Sequence, residues 1–220
     1  MTRTAHAAPA LLDHIVIAGP DLAGVIAWFA ERTGVTAAPG GAHPTGTANA
    51  LVALTVDGQR VPHYIELIGP NPEVEHEGPV TTFGIDGLDA PRIVTYAVHP
   101  DDIEQAVASS RARGYDPGEI WDLSRRRPDG ELLEWRLTRG SGDFAVPFLI
   151  EWGNTPQPGL SDIPTIELVS FERVVADDAA LSAVHDALGL GDDALVPLVT
   201  GDADSYRLTL RNAQGDEVVL

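Results

Sequence analysis

The chain contains no cysteine and no lysine; all 14 of its basic residues are arginine. Without cysteine there is no thiol nucleophile, no zinc–thiolate site and no disulfide, and without lysine there is no Schiff base and no P-loop ammonium. No apolar run approaches the ~20 residues needed to cross a bilayer. The opening MTRTAHAAPALL has no continuous apolar core of signal-peptide length, which makes the cytoplasm the expected location. Positive charge is scarce as well: 33 acidic residues leave a formal net charge of −19. A nucleic-acid partner requires a basic footprint, and the one basic cluster is Arg125, Arg126 and Arg127. Nucleic acid and anionic membrane are therefore disfavoured as partners. The acidic balance reads either as a cation-attracting surface or simply as a solvated one that maintains solubility.

At 220 residues and 44% hydrophobic content, the chain can bury a substantial core, as one domain or two small ones. Leu12-Asp13-His14-Ile15-Val16-Ile17 alternates as a strand does, with His14 and Val16 on one face. Pro20-Asp21 starts a helix with Asp21 as its N-cap. Leu22, Val25, Ile26 and Phe29 follow at helical spacing, and Gly34 ends the run. A glycine-rich loop over 38–46 leads into a strand over 49–56. Asp57-Gly58 predicts a hairpin, whose return strand carries Tyr64, Glu66 and Ile68 on one face.

The plan then recurs: a strand over 93–98, a helix over 101–113, strands over 121–127 and 132–138 around Asp129-Gly130, and a strand over 148–152. A looser third copy has a strand over 166–175, a helix over 178–188 and strands over 206–210 and 217–220. Pro/Gly/acid-rich linkers cover 71–79 and 154–164. The expected fold class is α+β, with β-α-β-β(-β) modules at 10–72, 91–158 and, more divergent, 164–220. They would form a curled mixed sheet around a cleft with helices outside.

Two spacings suggest chemistry. His14 and Glu66 are 52 residues apart, and Thr95 and Glu151 are 56 apart. Similar spacing in two copies suggests that His14, Glu66 and Glu151 converge on one cleft, a place to hold a divalent metal. His14 reads either as a ligand or as a strand histidine hydrogen-bonded at a sheet end. Glu66 lies between Ile65 and Leu67, and Glu151 between Ile150 and Trp152. On a buried face each needs a partner or a metal; on a solvated face neither does.

One imidazole with two carboxylates suits Zn²⁺, Mn²⁺, Ni²⁺ or Mg²⁺. The set lacks the second histidine of an oxygen-activating iron site. It favours isomerase or lyase chemistry beside a carbonyl, with Glu66 or Glu151 as the base. His43, Thr47 and Asn49 sit where a loop could reach over the cleft to a small-molecule ligand, with Gly40, Gly41 and Gly46 allowing close approach; a plain connection is the rival reading. Arg126, with its two neighbours, could clamp a carboxylate or phosphate, or lie on a solvated hairpin. Trp135 and Trp152 read as packing residues, with cavity lining as the rival reading. His6, His63, His76 and His185 have no evident partners, and His99, beside Pro100, reads as a strand-end residue rather than a ligand. A homodimer is admitted as the assembly.

Five ordered segments carry a resemblance: LDHIVIAGPDL (12–22), PGGAHPTGTANALVAL (39–54), YIELIGPNP (64–72), SRRRPDGELLEWRLT (124–138) and PFLIEWGNTPQP (147–158). Together they resemble glyoxalase-like domain proteins of the vicinal-oxygen-chelate superfamily, closely over 11–158 and loosely beyond. The resemblance implies paired modules whose U-shaped sheet holds a metal on its concave side, with ligands from the first and last strands of each module. Those positions here are His14, Glu66, a residue near Thr95, and Glu151. Thr95 departs from the His, Gln or Glu that many metal-using relatives carry. The resemblance implies a small-molecule enzyme, or a binding protein that sequesters its ligand in the same cleft.

Overall fold

The computed structural model describes residues 10–126, 130, 132–139, 145–190 and 196–220. Arg127 and Asp129 of the expected second hairpin lie outside the described residues. β1 (Leu12–Ala18) leads into α1 (Leu22–Thr33), β2 (Ala38–Ala42), β3 (Thr47–Val56) and β4 (Gln59–Pro70). A second run follows in the same order: β5 (Arg92–Val98), α2 (Ile103–Ala112), β6 (Glu119–Arg126), β7 (Leu132–Arg139) and β8 (Phe148–Glu151). Among the described residues one mixed sheet of twelve strands forms, and its order includes the run β3-β4-β1-β5-β8-β7-β6, which ends at one edge. In each run the last strand lies parallel to the first, β4 on β1 and β8 on β5, while β1 and β5 run antiparallel. This is an α+β fold with a curled mixed sheet and few helices.

The local signals work through ordinary chemistry. Asp21 accepts a hydrogen bond from the Gly24 amide at 3.1 Å, and Asp102 accepts one from Gln105 at 2.9 Å; each such cap stabilises its helix by about 1 kcal/mol. Gly34, at φ 71, closes α1 in the left-handed conformation. Asp57 and Gly58 both have positive φ, 51 and 73, the pattern of a type I′ hairpin turn.

The glycine-rich segment expected as a loop is instead partly a strand. β2 pairs with β3 across Ala38–Ala42, with a register break between Pro39 and Gly41. Low strand propensity hid it, since Gly40 and Gly41 have no side chain to signal a face. The structure gives the reason for the glycines: a Cβ on Gly40 would lie 2.1 Å from Asn49 Oδ1, and one on Gly41 would lie 2.8 Å from Arg125 Nη1.

Beyond the two runs, β9 (Thr165–Val175) lies parallel to β3, and β11 (Ser205–Arg211) and β12 (Glu217–Val219) extend the sheet antiparallel from it. α3 (Ala179–Leu188) connects β9 to β10 (Leu198–Thr200), which pairs parallel with β9. Ile15, Ile17, Ile65, Leu67 and Leu149 project from the sheet onto Val25 and Phe29 of α1 and Ile103 and Val107 of α2. Each fully buried side chain of this size stabilises the fold by about 1.5–3 kcal/mol. On the opposite face of the sheet lie Tyr64, Trp135, Ile150 and Trp152. β1 is thus buried on both faces along its whole length. Among the described residues no helix is long and apolar enough to cross a membrane.

The register relates the two runs residue by residue. Across β1 and β5, His14 faces Ala97 while Val16 faces Thr95. A two-fold relation between the strands therefore exchanges His14 with Thr95 and Val16 with Ala97. On the outer sides Val16 faces Glu66 of β4, and Ala97 faces Phe148 of β8. The counterpart of Glu66 is Phe148. Each central strand also holds one extra residue against the other: Asp13, between Leu12 and His14, and Val94, between Ile93 and Thr95. These β-bulges re-aim the side chains around them.

Candidate functional site

The concave face of the sheet encloses a cavity of about 440 Å³, within the range of small-molecule sites. His14, Tyr64 and Glu66 line it from β1 and β4, and Asn49, Thr47 and His43 from β3 and the turn before it. Thr95, Phe148, Ile150, Trp152 and Trp135 form the wall from the second run, and Phe83 covers one side. Phe83 sits in the left-handed region at φ 54, a conformation costing a bulky residue about 1–2 kcal/mol; its ring lies 5.8 Å from that of Phe148.

At the polar end, Asp13 is fully buried and the bulge sets it beside His14. Its Oδ1 lies 2.7 Å from His14 Nδ1, and its Oδ2 accepts hydrogen bonds from Trp152 Nε1 at 3.0 Å and Gln157 Nε2 at 2.7 Å. His99 Nδ1 approaches the same oxygen at 3.4 Å. Burial opposes the charge of Asp13, but the bonds from His14, His99 and Gln157 and the charge of His14 outweigh it, holding the carboxyl well below its usual range. As a carboxylate, Asp13 accepts the His14 Nδ1 proton and turns Nε2 into the cavity. There Nε2 stands 3.7 Å from Glu66 Oε2. The imidazole also stacks on Tyr64, centroid to centroid 4.6 Å.

Glu66 is held from its other side. Asn49 Nδ2 donates to Glu66 Oε1 at 2.6 Å and lies 3.2 Å from His43 Nε2. With Nε2 accepting, His43 Nδ1 carries the proton and donates to Thr47 Oγ1 at 2.8 Å. Burial lowers the His43 pKa; Glu66 pulls it up, and Arg125 and His14 push it further down. Burial, then the charges of Asp13 and Glu66, raise the Tyr64 pKa well above that of a free phenol, with Arg125 opposing. Tyr64 therefore keeps its proton through the neutral range.

The expected residues divide. His14, Glu66, His43, Thr47 and Asn49 come together. Glu151 does not join them. It follows Ile150 on the other face of β8, takes a hydrogen bond from Arg136 Nε at 2.9 Å, and faces the Ile103 amide at 3.4 Å. Spacing along the chain tolerates loops of any length, whereas side-chain direction flips with a shift of one residue; on the sheet Phe148 stands where Glu151 was expected. Arg126 is exposed and donates to the Gly130 carbonyl at 3.0 Å. Its neighbour Arg125 is the one that lines the cavity, 8% exposed.

The ligand set expected for a divalent metal is not assembled. Thr95 directs its hydroxyl to the Val146 carbonyl at 3.4 Å, and Glu151 is committed to Arg136. Among the described residues no group of three His, Asp or Glu side chains is arranged to hold an ion.

Sequence reasoning missed Asp13 and Gln157, and took Arg125 only as a neighbour of Arg126. Asp13 and Arg125 left signals. A carboxylate inside an otherwise apolar strand needs a partner, and His14 is next to it. Arg125 shares the alternation of Leu123, which also faces the cavity. Nothing in the sequence marks Gln157.

A family model described as a glyoxalase-like domain matches residues 12–189. A crystal structure of a hypothetical protein from Staphylococcus aureus superposes with a TM-score of 0.60 at 14% identity, covering 94% of this chain and 97% of that one. Methylmalonyl-CoA epimerase from Mycobacterium tuberculosis gives a TM-score of 0.44 at 20% identity, over 70% of this chain and 93% of that one. A single-residue variant of the Streptomyces coelicolor methylmalonyl-CoA epimerase, in complex with 2-nitronate-propionyl-CoA, gives 0.42 at 20% identity, over 64% and 96%. Among curated proteins none matches the sequence.

Proposed function

The chain belongs to the glyoxalase-like domain family of the vicinal-oxygen-chelate superfamily, and from that premise we propose that it is a small-molecule enzyme that moves a proton on a carbon beside a carbonyl, as an isomerase or lyase. The observation that carries this is Glu66, a carboxylate with little access to solvent, held in the cavity wall by Asn49 and facing His14 Nε2. A carboxylate held on one side and open to a cavity on the other is built to receive a proton. In this reading Glu66 takes the proton from the substrate carbon. The Tyr64 phenol, which stays protonated, donates a hydrogen bond to the developing enolate oxygen. His14, fixed by Asp13, gives a proton from Nε2 when it must arrive from another direction, and is reprotonated by Glu66 beside it, which returns that carboxylate to its starting state. The donor set does not fit the expected metal, so no step is routed through one. Glu151 has no role here.

The test is solvent deuterium exchange followed by NMR, over a panel of 2-oxo acids, 2-hydroxy acids and acyl thioesters. At least one member should exchange with the wild type and lose about 10²–10⁴-fold in rate in Glu66→Gln. The aromatic wall of Trp135, Trp152, Tyr64 and Phe148 supports a second reading, ligand binding without turnover. Saturable binding with no exchange by wild type across the panel would give that reading the lead.

A further inference from the structure

We propose that His43 is a positioning residue rather than an acid or a base. Held as the Nδ1–H tautomer, it locks the Asn49 amide with its hydrogens toward Glu66 and leaves Oε2 as the oxygen of Glu66 that takes the proton. Its part in proton transfer rests on the proposed reading of Glu66; the hydrogen-bond chain stands on its own geometry.

His43, Thr47 and Asn49 all line the cavity, as residues that grip a ligand would, yet their polar atoms are spent on one another. The chain is fixed from the Glu66 end. Asn49 Nδ2 lies 2.6 Å from Glu66 Oε1, and a carboxylate at that distance demands an N–H. The amide oxygen in its place would set two acceptors against each other. The second Nδ2 hydrogen goes to His43 Nε2 at 3.2 Å, which must therefore carry a lone pair. The ring proton sits on Nδ1 and goes to Thr47 Oγ1 at 2.8 Å. Thr47, fully buried, has Thr45 Oγ1 at 3.3 Å for its own proton. From Asn49 outward every donor points the same way. Burial disfavours a charge on His43 and outweighs the pull of Glu66, and a second ring proton would aim an N–H at the Asn49 Nδ2.

The far side of the amide shows which atoms set its orientation. Asn49 Oδ1 is buried and has no donor among the described residues. It is packed so closely against β2 that a Cβ on Gly40 would lie 2.1 Å from it. A buried acceptor without a donor is unusual; here the amide gives up that bond and uses both of its hydrogens. With Oε1 held by Asn49, Oε2 is the free oxygen of Glu66, 3.7 Å from His14 Nε2. His43 Nε2 stands 3.8 Å from Oε1, beyond hydrogen-bond reach, so it acts on the carboxylate only through Asn49.

The tautomer is read in two-bond proton–nitrogen correlation spectra of the ¹⁵N-labelled full chain at neutral pH, with His43 assigned by the signals that His43→Gln lacks. Wild type should show Nδ1 protonated and Nε2 bare. Asn49→Ala removes the amide from between His43 and Glu66, and the ring should switch to the Nε2–H form that faces the carboxylate. Solvent deuterium exchange gives the second readout. A glutamine oxygen can still accept from Asn49 but cannot carry a proton at neutral pH. His43→Gln should therefore keep the exchange rate within about tenfold of wild type, whereas His43→Leu should lose roughly 10²-fold, as a misplaced catalytic group does.

An Nε2–H or doubly protonated His43 in wild type, an unchanged tautomer in Asn49→Ala, or equal losses in His43→Gln and His43→Leu would overturn the proposal. If Asn49→Ala or His43→Leu does not fold, the wild-type spectrum and His43→Gln decide, since replacing a true acid or base costs about 10²–10⁴-fold. The expected spectra with no exchange by wild type would sink the proposed reaction and leave the positioning chain standing. Exchange by a wild type whose His43 is Nε2–H would do the reverse.

Discussion

The two halves of the central sheet share a topology and differ in chemistry. β1 to β4 and β5 to β8 repeat the same strand order, and a bulge recurs at the same place in each first strand, Asp13 in one and Val94 in the other. After the bulge comes His14 in the first run and Thr95 in the second. Where the first run places Glu66, the second places Phe148. One half thus presents an imidazole, backed by the buried Asp13, and a carboxylate to the cavity, and the other presents a hydroxyl tied to a backbone carbonyl and an aromatic ring. On the proposed reading only one half of the scaffold is chemically active, and the other shapes the space and keeps water from it, which strengthens every polar interaction across the cavity.

The sharpest way to break the comparison is at the paired bulges. Asp13→Ala strips the acceptor from His14, Trp152 and Gln157, and should destabilise the protein by about 3–5 kcal/mol. Val94→Ala, at the equivalent place, should cost about 1 kcal/mol. Urea denaturation of both variants measures the difference, and equal losses would mean that the two bulges are interchangeable.

A smaller effect comes from making the halves alike. Thr95→His combined with Phe148→Glu places an imidazole and a carboxylate opposite His14 and Glu66, completing a mixed N/O set suited to Zn²⁺ or Mn²⁺. The double variant should then be stabilised by about 2.7 kcal/mol when the free metal is at a hundredfold its Kd, read as a rise in thermal midpoint that the wild type does not share. No rise would show that the equivalence of Phe148 with Glu66 does not extend to side-chain direction. The smallest effect belongs to Glu151. Its pairing with Arg136 is half-buried near the surface, so Glu151→Gln should cost about 0.5–1 kcal/mol, measured by the same denaturation.

Much of this was legible in the sequence. The repeat, the helix caps, the Asp57-Gly58 hairpin and the His14–Glu66 pair all follow from alternation, spacing and turn chemistry that act locally. What escaped was set by register. A spacing of 56 residues from Thr95 to Glu151 looks like the 52 from His14 to Glu66, yet loop lengths absorb such differences and alternation decides which face a side chain takes. The same one-residue ambiguity exchanged Arg126 for Arg125. β2 was hidden because its glycines serve their neighbours, Gly40 making room for Asn49 and Gly41 for the Arg125 guanidinium, and so carry no pattern of their own.

The central claim is that the chemistry resides in the first run alone. It is tested most directly by measuring solvent deuterium exchange side by side in Glu66→Gln and Glu151→Gln, on the best substrate of the panel. The account predicts a loss of at least about 10²-fold in the first and a rate within about twofold of wild type in the second, a change no larger than a surface pair contributes. Comparable losses in both variants would contradict it.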